Sequence, residues 1–325
     1  MKRERMRCAS IAILIGASML LGLASCASTG PSPVAQEWFD LGNAWLEKGD
    51  WKKAGQAYSH ALTLDPSFAG ASYNLARALT ESGDYEMALK VLDALASRDP
   101  GNVDIVAARA YALYKKGDAK DALAAYRELL ALDAYAPDAV YNAALLELAS
   151  GDASTAVADL ERLTSAKPDD GQAFLLLGRA IDRRASNAAT IGKTTAAGGG
   201  GSAALNESDA SALAAYEKAM ALGKTDADAL VRMSQLYEKT RRFSEAMDAL
   251  EEALKADPKR AAAAFYLARL RLVVADDAEK GLAALKVALD NGFSDKDAAS
   301  SLLAEPDLPE RQKVFDLLKA KGLTE

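Results

Sequence analysis

Apolar residues recur at helical spacing along most of the chain, and the pattern of helix and turn itself repeats. In the first unit, Trp38, Leu41 and Trp45 lie three and four residues apart and form the apolar stripe of one helix. Other markers return in a register of 34 residues: a Gly-Asp pair at 49–50, 83–84, 117–118 and 151–152, an alanine at 54, 88, 122 and 156, and a proline at 66, 100 and 168. A unit of this length that recurs along a chain is typical of a solenoid, in which stacked units share one core.

Each marker has a local structural reason. Gly49 suits the left-handed backbone that ends a helix, and Asp50 suits the N-cap of the next helix. Gly42 has no side chain, so we expect the second helix of the unit to approach the first at this point, with Tyr58 filling the space between them. Pro66 cannot extend the second helix. The unit is therefore predicted to be a pair of packed helices.

The first unit resembles the tetratricopeptide repeat (TPR) family. The family's consensus positions are occupied by Trp38, Leu41, Gly42, Trp45, Ala54, Tyr58, Ala61 and Pro66. The resemblance implies an all-α fold, a right-handed α-solenoid of about seven TPR helix pairs with a C-terminal capping helix.

The register divides the solenoid, residues 35–292, into seven repeats, near 35–68, 69–102, 103–136, 137–170, 171–226, 227–260 and 261–292. The fifth repeat is longer than the others, since its second helix shows its pattern only near Ala212. We expect an insertion at 185–211, rich in Ala, Thr, Asn, Ser and Gly, to form a disordered loop that is either neutral or binds a partner. Residues 293–325 lose the period, and a last helix from Pro309 is predicted to cap the array.

The first 25 residues are typical of a secretory signal peptide, with a basic start, a short apolar run and small residues before a cleavage point. Leu23-Ala-Ser-Cys26 resembles the cleavage site of bacterial lipoproteins, which implies that Cys26 is lipidated. The alternative is an ordinary signal peptide with a coincidental cysteine. Under the lipoprotein interpretation, residues 26–34 are the lipidated Cys and a flexible tether. The resemblance implies a lipid-anchored protein that faces the periplasm or the cell surface, with Ala27 favouring the outer over the inner membrane.

Composition narrows the chemistry that the chain offers. The 325 residues carry a net charge of −7, with a pI near 5.1, which argues against nucleic-acid binding. One His and two Cys leave little for histidine-based catalysis or a zinc site, so we expect no enzyme activity, no metal and no cofactor. Gly192-Lys193-Thr194 is similar to the end of a phosphate-binding loop, but Asn187 stands where that motif needs a glycine, so no nucleotide is expected.

In the TPR family the first helices of the repeats line a concave groove. The resemblance places ten side chains of this sequence in such a groove: Asn43, Tyr73, Asn74, Arg77, Tyr111, Tyr141, Asn142, Arg179, Arg232 and Arg269. Asparagine can bond to a peptide backbone, tyrosine supplies contact area and arginine binds carboxylates. Four inward arginines in an otherwise acidic body favour an acidic segment or a chain terminus as the ligand.

These features together predict a non-catalytic scaffold, anchored to a membrane, that binds a protein or peptide partner in the bacterial cell envelope. Two alternatives stay open. A transport-associated lipoprotein would dock a solute-binding protein or hold a small apolar ligand in a deep pocket near Tyr141, Phe265 or Tyr266. A hydrolase would need a closely spaced Asp/Glu pair with strongly raised pKa values inside a cleft.

Overall fold

A computed structural model describes residues 30–193 and 206–324, and in these two stretches the chain forms sixteen α-helices and no strand. The predicted signal peptide and Cys26 lie outside the described residues. The helices, in chain order, are α1 (Pro33–Glu47), α2 (Trp51–Leu64), α3 (Ala69–Ser82), α4 (Tyr85–Ala96), α5 (Val103–Lys116), α6 (Ala119–Leu132), α7 (Pro137–Ser150), α8 (Ala153–Ala166), α9 (Gly171–Lys193), α10 (Glu207–Ala221), α11 (Ala227–Lys239), α12 (Phe243–Ala256), α13 (Ala261–Val273), α14 (Ala278–Asp290), α15 (Lys296–Leu303) and α16 (Arg311–Ala320). No helix within these stretches is long and apolar enough to cross a bilayer.

The turn inside each of the first four pairs has the conformation that its Gly-Asp pair predicts. Gly49 has a φ of 71°, in the left-handed region, and the glycines at 83, 117 and 151 have φ values of 87° to 91°. The Asp50 carboxylate then accepts a hydrogen bond from the backbone N–H of Lys53, at 3.2 Å, and so caps α2. The aspartates at 84 and 152 cap α4 and α8 in the same way, whereas Asp118 makes no such side-chain bond.

The two helices of a pair meet closely where the first helix has a glycine. A Cβ atom on Gly42 would lie 2.5 Å from Cε1 of Tyr58, and one on Gly178 would lie 2.6 Å from Cε1 of Tyr216. Both tyrosines are buried, so each ring fills the gap that the missing side chain leaves. The predicted approach of the second helix at Gly42 is therefore confirmed, and it recurs in the fifth pair.

Each helix from α1 to α13 packs against the next one in sequence. Neighbouring first helices also touch, as in α3 with α5, α7 with α9 and α11 with α13. The core between them is rich in fully buried alanines, which let the helices come close. The contacts therefore run along the chain as a stack of helix pairs, and the predicted all-α solenoid of about seven pairs is confirmed.

The fifth pair is more helical than the sequence pattern suggested. Residues 185–193 continue α9, and α10 begins at Glu207, so the loop expected over 185–211 is helical at both ends. Alanine-rich sequence with no proline sustains the helix, and this propensity outweighs the polar composition that suggested a loop. Residues 194–205 lie outside the described residues.

Asparagine side chains hold both borders of this segment. On the extension of α9, Nδ2 of Asn187 donates a hydrogen bond to the carbonyl oxygen of Gly151, 3.1 Å away, and so ties the extension to the turn between α7 and α8. At the start of α10, Oδ1 of Asn206 accepts a hydrogen bond from the backbone N–H of Asp209, at 2.7 Å, and caps the helix.

Two helices, not one, cover the C-terminal end of the stack. The short helix α15 was missed, and the last helix, α16, begins at Arg311 rather than at Pro309. Phe293 precedes α15 and stacks on Phe265 of α13, with ring centroids 3.9 Å apart. Because α15 has only eight residues, its apolar pattern is too short to distinguish from a turn.

One buried carboxyl group breaks the apolar pattern of the core. Glu147 stands 34 residues after Leu113, at the corresponding point of the next first helix, and its side chain is fully buried. Nη2 of Arg127 lies 3.2 Å from its Oε1, while Oε2 has no hydrogen-bond partner among the described residues. Burial raises the pKa of Glu147, since the charged form loses its hydration.

Replacing this glutamate with the residue of the preceding repeat is expected to stabilise the protein. Glu147→Leu should raise the free energy of unfolding at pH 7 by about 1–2 kcal/mol. The reason is that the desolvation penalty of an imperfectly paired buried charge exceeds the attraction that it gains from its partner. The pKa of Glu147 in the folded protein lies above the ordinary value of 4.5, so this residue destabilises the parent only at a pH where it is ionised. The stability gained by Glu147→Leu should therefore shrink as the pH falls through the raised pKa towards 4.5.

Urea denaturation at pH 7 and pH 4 measures both effects. Glu128→Leu on α6 is the control, since Glu128 is exposed and its replacement should change the free energy of unfolding by less than about 0.5 kcal/mol. An equal gain at both pH values, or no gain at pH 7, would contradict the assignment of a charged, buried Glu147.

Candidate functional site

Three of the predicted groove residues lie around one cavity between α3 and α5. The cavity has a volume of about 250 Å³, and we call it the α3–α5 pocket. It is lined by Trp51, Tyr73, Arg77, Thr80, Glu81, Ala108 and Tyr111. The resemblance to the TPR family predicted the two tyrosines and the arginine as groove residues, and it did not include the other four. Glu81 lies one helical turn after Arg77 on the same side of α3, which was the signal that could have found it.

The arginine of this pocket is free to bind an anion. Arg77 is exposed, its guanidinium carbon lies 5.9 Å from the centre of the Tyr73 ring, and it forms no ion pair with any described residue. Glu81 instead faces Lys115, whose Nζ lies 3.7 Å from its carboxylate and 5.6 Å from the centre of the Tyr111 ring. The pocket thus combines one unpaired cation, one paired acid and aromatic surface.

The tyrosines of the pocket can donate hydrogen bonds at neutral pH. Burial raises the pKa of Tyr73, and burial together with the nearby Glu81 raises the pKa of Tyr111. Both phenols therefore stay protonated at pH 7. The Tyr73 O–H is available to a ligand carbonyl or carboxylate, whereas the Tyr111 O–H faces the Glu81 carboxylate and donates to it.

The two asparagines of the first repeats bond to each other. Oδ1 of Asn43 accepts hydrogen bonds from the Tyr58 hydroxyl, at 2.8 Å, and from Nδ2 of Asn74, at 3.0 Å. These bonds join α1, α2 and α3, so the asparagines help to hold the pairs in register. The amide nitrogen of Asn43 and the oxygen of Asn74 have no partner among the described residues and stay available to a peptide.

The other three predicted arginines are engaged within the protein. Arg179 pairs with Asp226, and Arg269 pairs with Glu238. Arg232 pairs with two carboxylates, as described below. Three of the four arginines predicted to line the groove are therefore already paired with carboxylates of the protein, and Arg77 differs from them in this respect.

Arg232 belongs to a network that joins α9, α10 and α11. Its guanidinium lies 2.8 Å from the Asp182 carboxylate and 2.9 Å from the Asp209 carboxylate. The Tyr216 hydroxyl donates to Asp182 at 2.8 Å, and Lys239 pairs with Asp209. Since Asp209 is almost fully buried, these partners compensate its charge, and the network holds the fifth repeat to the sixth.

Tyr141 and Asn142 lie on α7, between the two groups of residues described above. Both are half-buried. Burial, with Asp170 beside the hydroxyl, raises the pKa of Tyr141. These two residues do not line the α3–α5 pocket. The structure thus brings together only the N-terminal members of the predicted groove.

Two observations on the described residues bear on the alternatives. The two carboxyl groups whose pKa is raised, Glu147 and Glu238, lie in different repeats, and each is paired with an arginine. Phe265, expected to border an apolar pocket, is fully buried against the C-terminal helices. No described group of three or more His, Cys, Asp and Glu side chains is arranged to hold a metal ion.

Family models match most of the chain. The TPR domain of cytochrome c-type biogenesis protein H matches residues 19–139, and two general tetratricopeptide repeat models match residues 141–192 and 210–270. Among curated proteins, none matches the chain by sequence.

Solved structures of repeat proteins share the fold at low sequence identity. A tetratricopeptide repeat protein of Parabacteroides merdae is 16% identical, with a TM-score of 0.53 over 90% of this chain and 100% of its own. The C-terminal part of a TPR protein from Cytophaga hutchinsonii is 15% identical, with a TM-score of 0.60 over 81% and 99%. PilF of Pseudomonas aeruginosa is 16% identical, with a TM-score of 0.56 over 72% and 97%. The 34-residue register, the stacked helix pairs and these matches together show that the chain is a tetratricopeptide repeat protein.

Proposed function

We propose that the protein is a non-catalytic scaffold, anchored to a bacterial membrane, that binds a protein partner through the α3–α5 pocket. The observation that carries the proposal is the state of Arg77: of the four predicted groove arginines, it is the one without an ion pair among the described residues. Protein binding is common among TPR folds. The partner's chemistry is inferred from the pocket.

An acidic side chain or a C-terminal carboxylate of the partner fits this pocket. The guanidinium of Arg77 can donate two hydrogen bonds to a carboxylate, and the hydroxyl of Tyr73 can donate one. The aromatic walls supply contact area around the charge. A cavity of about 250 Å³ holds one or two side chains, so the rest of a peptide would run along the neighbouring first helices.

Reversing the charge of Arg77 should disrupt this interaction. With a photo-crosslinking amino acid at Ala108, on the wall of the pocket, the intact-cell crosslink to the partner should fall at least about tenfold in Arg77→Glu, because a charge-assisted hydrogen bond contributes about 1.5–3 kcal/mol. Synthetic acidic peptides derived from the crosslinked partner should bind the parent, while their amidated or Gln-substituted versions should not.

Arg98→Glu is the matched control, because Arg98 is also exposed and lies outside the pocket. It changes the net charge of the protein by the same amount and should leave the crosslink unchanged. Equal crosslinking by the parent and Arg77→Glu, with both proteins folded by circular dichroism, would refute binding through this pocket.

The proposed anchor rests on the N-terminal sequence. A signal-like segment ends at Leu23-Ala-Ser-Cys26, and the described structure begins only a few residues later, at α1. Acyl chains on a cysteine at this point would place the first repeat next to a membrane. An envelope location, with the outer membrane favoured by Ala27, belongs to the same proposal.

Cys26→Ser should abolish lipidation. We expect the variant to incorporate no radiolabelled palmitate and to accumulate as the uncleaved precursor, because cleavage in lipoproteins depends on the modified cysteine. Labelled palmitate and gel mobility measure the two effects. Cys8→Ser, which changes the other cysteine of the chain, should behave as the parent does. Unchanged labelling and processing of Cys26→Ser would show that the cysteine is coincidental.

A further inference from the structure

The first helix pair leaves an apolar surface without a covering helix. In the second repeat, Leu75 packs against α2, since a Cβ atom on Gly55 would lie 3.7 Å from its Cδ1. The residue 34 positions earlier is Leu41, and no described helix precedes α1 to cover it. Leu41 is accordingly 42% exposed, and Val34 on the same side of α1 is 53% exposed. We call this surface the N-terminal flank; it consists of Val34, Trp38, Leu41, Trp45, Lys53 and His60.

The polar groups of the flank lie against its aromatic rings. The His60 ring stacks on Trp38, with ring centroids 4.5 Å apart. Nζ of Lys53 lies 4.4 Å from the centre of the Trp45 ring, and Nζ of Lys48 lies 5.0 Å from it. Nζ of Lys53 also pairs with the Asp50 carboxylate, 2.8 Å away, whereas Lys48 has no ion pair among the described residues. The flank therefore presents indole rings and aliphatic side chains, edged by the Lys48 ammonium group and by the Lys53–Asp50 pair. The two ends of the solenoid differ, because α15 and α16 cover the other end.

This chemistry matches the interface between lipid headgroups and acyl chains. Indole rings favour that interface because one side of the ring is apolar and its N–H is polar. The unpaired Lys48 ammonium group can reach a lipid phosphate while its methylene stem stays in apolar surroundings. All three tryptophans of the chain lie in the first repeat, and two of them, Trp38 and Trp45, lie on the flank.

The length of chain before α1 keeps the flank close to the proposed anchor. Six residues separate Cys26 from Pro33, the first residue of α1. Fully extended, this segment spans at most about 25 Å, at about 3.5 Å per residue. An acylated Cys26 would thus hold the uncovered end of the solenoid, rather than the capped end, next to the bilayer.

We propose that the N-terminal flank lies against the surface of the membrane, with Val34 and Leu41 in contact with lipid. This inference rests on the proposed anchor at Cys26 and extends it from a flexible attachment to a defined orientation. The solenoid would then rise from the membrane at its first repeat. A second copy of the chain is the competing occupant of the flank.

Spin labels on single cysteines test the orientation. The acylated parent has no free thiol if Cys26 is lipidated and residues 1–25 are removed, so Leu41→Cys and Lys313→Cys each accept one nitroxide. Lys313 is exposed on α16, at the capped end, and is the control position. The full lipoprotein is reconstituted in phosphatidylcholine vesicles. For each nitroxide, its accessibility to oxygen is divided by its accessibility to a nickel chelate. We expect this ratio to be about tenfold higher at position 41 than at position 313, because the apolar layer of the membrane excludes the polar chelate.

Equal ratios at positions 41 and 313 in protein that floats with the vesicles would overturn the inference and leave the anchor intact. Dipolar broadening of the label at 41 that disappears on dilution with unlabelled protein would assign the flank to a second copy. Flotation itself tests the anchor: if the parent does not float, the proposed anchor fails and the orientation fails with it.

Discussion

A pair of amphipathic helices cannot bury its apolar surface alone, and this constraint governs the whole protein. The helices of a pair approach closely where a glycine faces a tyrosine, as Gly42 faces Tyr58 and Gly178 faces Tyr216. What the pair leaves exposed is covered by the next pair, through a core rich in alanine. Contacts therefore extend only to near neighbours in sequence, and the structure is a one-dimensional stack whose stability adds along the chain.

A stack of this kind has two ends, and in this protein one end is covered by additional helices while the other is exposed. The C-terminal end is covered by α15 and α16, with Phe293 stacked on Phe265. The N-terminal end keeps Val34 and Leu41 exposed beside tryptophans that are edged by lysines and a histidine. The surface formed by the first helices of the repeats also differs between its N-terminal and C-terminal parts. Near the N-terminal end the α3–α5 pocket leaves Arg77 free, whereas further along the arginines join neighbouring repeats. Partner binding and membrane contact are thus both proposed for the first three repeats.

The repeat register predicted the helices, their turns and the close approach at Gly42, because these depend on residues that recur at fixed spacing. The resemblance to the TPR family, not the register itself, placed Tyr73, Arg77 and Tyr111 in one groove. The register could not predict the ion pairs of the later arginines, since their partners include Asp209 and Asp226, which follow the interruption of the fifth repeat and have no fixed register. The register also did not predict the helical ends of 185–211 or the short helix α15. These helices depend on local helix propensity and capping, not on the 34-residue period.

The most direct test of the account is hydrogen exchange, followed helix by helix, in Gly178→Val. The added side chain would overlap the Tyr216 ring, which should cost about 1–3 kcal/mol of local stability. We predict lost protection in α9 and α10, a smaller loss in the adjoining α8 and α11, and unchanged protection in α1 to α4. Gly55→Ala, where a Cβ atom would make only ordinary contacts, should leave every helix protected. A uniform loss across all helices, or none in α9 and α10, would contradict a stack held together by neighbouring pairs.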